Sequence, residues 1–160
     1  MKRAILMSIQ PKWLVKILNG EKTIEIRKIM PKCELPIDVY LYCTKGIKDI
    51  LYKYKDKYYT QHYLTFTDSV EVLNSKVVAK FKLNKTEEII TFNNEFIDCK
   101  VYYIDNLVIF DKPKELREFS TFKRETISCG MDCPPYTDWV EYRVRKAPKS
   151  WQYAYVEDEV

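Results

Sequence analysis

Apolar and polar positions along this chain switch between two periods, and the switches mark out the elements. Ala4 to Ile9 is almost continuously apolar, which predicts a short buried strand. Pro11 fits the first position of a helix, where its missing N–H costs nothing. Trp13, Leu14, Ile17 and Leu18 then form one apolar stripe, with Lys12, Lys16 and Asn19 facing away. Gly20 stops the helix, because glycine takes the left-handed conformation after a last turn. From Thr23 to Arg27 the period becomes two, with Ile24 and Ile26 on one face and Thr23, Glu25 and Arg27 on the other. Asp38 to Thr44 alternates likewise, setting Val39, Leu41 and Cys43 against Tyr40, Tyr42 and Thr44.

Val77, Ala79, Phe81 and Leu83 predict the inner face of a further strand. Cys99 to Ile104 and Leu107 to Phe110 read as a strand pair joined at Asp105-Asn106. Pro113 marks a helix start for the segment 112–119, and Trp151 to Val156 forms a closing strand. The Lys- and Tyr-rich segment 45–75 is read as a partly helical insert, and 112–146 as an elaborated segment. About six short strands with few helices predict an α+β fold, a small mixed β-barrel with flanking helices, in one domain over residues 1–160.

Composition narrows the function. Hydrophobic residues at 46% and charged residues at 31% exclude a disordered chain. The longest apolar run, Val39 to Cys43, is far too short to span a membrane, and the start lacks a signal-peptide pattern. A cytoplasmic protein is expected, without a membrane partner. Three glycines exclude a Gly-rich phosphate loop, and no cofactor is expected. Residues 1–80 carry 15 basic and 8 acidic side chains, a basic half that attracts phosphate. The Lys, Ile, Tyr and Asn excess also matches an A/T-rich coding sequence, which discounts the charge. Five cysteines without a secretion signal read as free thiols. Cys129 and Cys133 supply only half of a zinc site, so no metal is assigned. His62 reads as a surface or packing residue.

The chemistry concentrates in Gly20-Glu21-Lys22-Thr23-Ile24-Glu25-Ile26-Arg27. Glu25 and Arg27, two apart on a strand, pair with each other or jointly clasp a ligand, and Lys22 adds a mobile cation. Lys12, from the polar side of the helix, and Ser150 and Gln152, from the last strand, are candidates for the rim of the same site. Tyr52-Lys53-Tyr54-Lys55-Asp56-Lys57-Tyr58-Tyr59 interleaves aromatics with cations, a composition that suits base stacking or simply covers a core.

Ser8-Ile9-Gln10-Pro11-Lys12 and Ile17 to Arg27 resemble the opening of the ASCH domain family, of the PUA-like superfamily. The family's G-x-K-x-x-E-x-R motif is complete at Gly20, Lys22, Glu25 and Arg27. Val39 to Thr44 and Val77 to Phe81 resemble its core strands. Pro148-Lys149-Ser150-Trp151 resembles the ending of bacterial and phage members. The resemblance implies a barrel whose cleft binds RNA, a nucleotide or a nucleoside. Some relatives are amidohydrolases acting on acylated cytidine, and others are reported to cleave RNA. Lys22 matches the amidohydrolases' catalytic lysine, but Glu25 stands where they carry a nucleophilic threonine. Lys22 and Glu25 as acid and base remain the enzymatic alternative. A protein-interaction module using the Tyr-rich insert is a third reading.

Overall fold

The computed structural model describes residues 1–29, 31–46, 49–62, 70–92, 95–128 and 130–158, the side chains of 90–92 and 95–98 excepted. The elements run β1 (Lys2–Ile9), α1 (Pro11–Leu18), β2 (Ile24–Arg27), β3 (Ile37–Cys43), β4 (Ile50–Tyr54), β5 (Lys57–Gln61) and β6 (Glu71–Val72). They continue as β7 (Val77–Leu83), β8 (Thr86–Phe92), β9 (Glu95–Tyr103), β10 (Asp105–Lys114), a 3₁₀ turn (Leu116–Glu118), β11 (Phe119–Ile127), β12 (Tyr136–Arg143) and β13 (Trp151–Val156).

Seven strands form one mixed sheet in the order β10-β7-β3-β1-β13-β11-β12. Two three-stranded sheets, β2-β9-β8 and β5-β4-β6, stand beside it. The chain is therefore nearly all-β, with one α-helix among the described residues and no sheet closed on itself. This corrects both the α+β class and the barrel. The source of the error is local: segments read as helical or left unread pair as strands.

Residues 50–61 form a hairpin rather than a partly helical insert, with Tyr52 opposite Tyr59 across it. Pro113 does not open a helix. It lies in β10, an edge strand of the large sheet, where a missing N–H leaves no ladder bond unmade. Only Leu116–Glu118 turns helically after it. The pair expected around Asp105-Asn106 also fails. β9 joins β2 and β8, whereas β10 pairs with β7, so the chain crosses between sheets at that point.

β1 pairs in parallel with β3 and antiparallel with β13, at the middle of the sheet. Both of its faces are covered, which explains the apolar run from Ala4. Ile5, Met7 and Ile9 pack with Leu14, Ile17, Val39, Leu41 and Tyr102 on the α1 side. Ala4 and Leu6 pack with Tyr40, Phe119 and Ala154 on the other. Tyr40 and Tyr42 are therefore buried, not outward-facing as the alternation of β3 predicted. Tyr40 meets the Phe119 ring edge-on at 5.0 Å. Two asparagines tie the loops down. The Asn19 side chain exchanges two hydrogen bonds with the Tyr58 backbone, docking α1 on the β4–β5 hairpin. Asn74 accepts from Leu51 N and donates to the carbonyls of Thr44, Lys45 and Asp49.

Candidate functional site

The site begins at the end of α1. Gly20, at φ +76, closes the helix: its N–H donates to Ile17 O at 3.1 Å and that of Glu21 to Lys16 O at 2.8 Å. The N–H of Lys22 also donates to Lys16 O, at 3.1 Å, so the chain doubles back beneath the last turn.

β2 then turns Glu25 inward and Ile26 outward. Glu25 is 6% exposed while Ile26 is 49% exposed, so the carboxylate points inward and the isoleucine outward. Register explains the burial, because Glu25 pairs with Tyr102, a fully buried residue of β9. A carboxylate is tolerated there because cations reach it from two sides. Lys22 Nζ lies 2.7 Å from Glu25 Oε2, and Arg27 Nε 3.1 Å from Oε1. Arg27 extends further to the end of the large sheet, donating through Nη2 to Ser8 O at 2.8 Å and through Nη1 to Ser150 Oγ at 3.1 Å. Ile29 O accepts from the Tyr102 hydroxyl at 2.5 Å and from Trp151 Nε1 at 3.2 Å, which anchors the chain after β2. Burial pushes the Tyr102 hydroxyl up to about 12, with Arg27 pulling the other way.

Trp13 was expected in the apolar stripe. It is instead 43% exposed, and the buried face is Pro11, Leu14, Ile17 and Leu18. At about 100° per residue, Trp13 lies at the edge of that arc, just past Ile17. Three lysine ammoniums surround its ring: Lys12 at 5.1 Å, Lys22 at 5.2 Å and Lys16 at 5.3 Å from the centroid. The helix face assigned to solvent therefore flanks the site. Sequence reasoning overlooked Trp13 and Lys16, although Lys-Trp-x-x-Lys at i, i+1 and i+4 was a readable signal.

The predicted residues are not all gathered together. Lys22, Glu25, Arg27 and Ser150 are joined by direct bonds, and Lys12 reaches Lys22 through the Trp13 ring. Gln152 is separate. It pairs with Leu6, on the face opposite Trp151, and lines another hollow at the base of β11 and β12. His62 is exposed, 3.3 Å from Asp49. Tyr52 and Tyr58 are buried in the core, which removes much of the aromatic surface that the insert offered a partner. Cys129 lies outside the described residues, and Cys133 is exposed as a free thiol. Among the described residues no group of three or more His, Cys, Asp or Glu is placed to hold a metal ion, and no helix is long and apolar enough to cross a membrane.

Chemically, the arrangement supplies a flat aromatic surface, several ammonium groups and two cations held by one carboxylate. Both Glu25 oxygens accept from the chain's own donors, so Glu25 positions Lys22 and Arg27. The chain matches no family model, no characterised protein and no solved structure, so its chemistry is read from these side chains.

Proposed function

We propose that the protein binds RNA, or a nucleotide-sized piece of it, on the Trp13 face. The observation that carries this reading is the half-exposed indole with three lysine ammoniums within 5.3 Å of its centroid. A base stacks on an aromatic ring while neighbouring cations neutralise its phosphates, and every base has a face to stack. Glu25 pairs with Lys22, one of those ammoniums, and with Arg27. The likeness of Gly20, Lys22, Glu25 and Arg27 to the ASCH motif supports the same reading. The hydrolase alternative is less favoured because both Glu25 oxygens already accept from Lys22 and Arg27, so the carboxylate is engaged in holding those cations.

Titration with a labelled oligoribonucleotide, following tryptophan quenching and anisotropy, tests the proposal. Trp13→Ala should weaken binding by about 1–3 kcal/mol, the usual worth of one stacked base. Lys22→Ala should weaken it too and flatten its salt dependence, whereas the native protein's affinity should fall steeply between about 50 and 200 mM salt. Binding that ignores both substitutions would overturn the assignment. Incubation with acylated cytidine and with end-labelled RNA completes the test, and no Lys22-dependent turnover is expected.

A further inference from the structure

On the other side of β13 lies a hollow of about 690 Å³, large enough for a small ligand. Its wall includes Lys123 from β11, Tyr142 and Arg143 from β12, and Arg145, Lys146 and Gln152 beyond them. The Lys123 ammonium rests 5.5 Å from the centre of the Tyr142 ring, whose hydroxyl donates to Glu125. Glu141, the acid of the wall, accepts from the buried Ser120 hydroxyl at 2.5 Å. Among the described residues no carboxylate pairs with Arg143, Arg145 or Lys146. Four cations, Lys123, Arg143, Arg145 and Lys146, share this concavity with one carboxylate, Glu141; the excess of like charge is repulsive, and a polyanion relieves it.

The hollow and the Arg27 side chain both adjoin the start of β13. Arg27 reaches across the end of β1 to Ser150, just before β13 begins, and Gln152, two residues further along the chain, lines the hollow. That step is about 7 Å.

We infer that the ligand is a single-stranded nucleic-acid segment of several nucleotides. It crosses from the Trp13 face past Ser150 into this hollow at the base of β11 and β12, where Arg143, Arg145 and Lys146 bind its phosphates and Tyr142 offers a second stacking surface. The inference rests on the proposed function and extends it, because a single nucleotide needs only the first site.

The test uses the full chain with labelled oligouridylates of about three and about ten nucleotides, a span within the range of single-strand sites. The longer oligomer should bind at least about tenfold tighter than the shorter. The double variant Arg143→Ala/Arg145→Ala should lose most of that advantage and lower the salt slope by about 1.4, two phosphates' worth, while leaving the short oligomer unaffected. Lys146→Ala, in an exposed loop, should show the same pattern at smaller size, and Arg143→Lys/Arg145→Lys should restore the slope. A long oligomer that binds no tighter than the short one, or that keeps its affinity and slope in both alanine variants, overturns the inference while the first site stands. If neither oligomer binds the native protein, the first reading fails and takes this one with it.

Discussion

Glu25 is an acid 6% exposed within a strand, and its two cations decide whether it can be there. With Lys22 at 2.7 Å and Arg27 at 3.1 Å, both carboxylate oxygens are compensated. Glu25→Gln leaves two cations facing an amide that cannot neutralise either. Loss of about 2–3 kcal/mol is expected, below the figure for a fully buried pair because Lys22 and Arg27 keep some solvent contact. A urea titration checks the size. The same variant should weaken RNA binding beyond any loss caused by unfolding, since Lys22 then loses its orientation. Legibility at this scale was mixed. The spacing of Lys22, Glu25 and Arg27 correctly brought them together. Their burial was not readable, because it depends on Tyr102 standing opposite Glu25 from 77 positions away.

The elements show where local patterning is reliable. β1, α1, β7 and β13 emerge from apolar periodicity, each being a strongly patterned run packed on the core. The β4–β5 hairpin does not, since its turn carries none of the usual signals. Lys55 and Asp56 occupy its two central positions at φ +46 and +62, the geometry that normally selects Asn-Gly. Lysine pays for that conformation in steric strain. Replacing Lys55-Asp56 by Asn-Gly should therefore raise stability by about 1 kcal/mol, read from the urea midpoint, with Tyr58 still docked on Asn19. A lower midpoint would mean that the native side chains contribute more than the turn geometry costs. β11 and β12 were missed for another reason. Their paired arm is exposed on most of its length, so no buried face imposes an alternation for the eye to find.

At the scale of the whole molecule, the cluster between α1 and the large sheet governs the response to alkali. Burial there raises Cys43 from 9.0 to about 12 and Tyr102 from 10.0 to about 12. The unfolded chain therefore gives up these protons first as pH rises. The stabilisation is complete below pH 9 and declines from there towards pH 12. Each group contributes about 1 kcal/mol per pH unit within its own window. Urea midpoints at about pH 8 and about pH 11 should differ accordingly, and Tyr102→Phe should reduce the difference. By itself the sequence determined what short-range periodicity and chemical type can carry: the central strand, the amphipathic helix with its glycine stop, and the grouping of a lysine, an acid and an arginine. Tertiary structure alone decided the three separate sheets, the inward turn of Glu25, the exposure of Trp13 and the removal of Gln152 to another face. Each of those depends on which distant strand lies alongside, and strand partners are chosen by the packing of the entire chain.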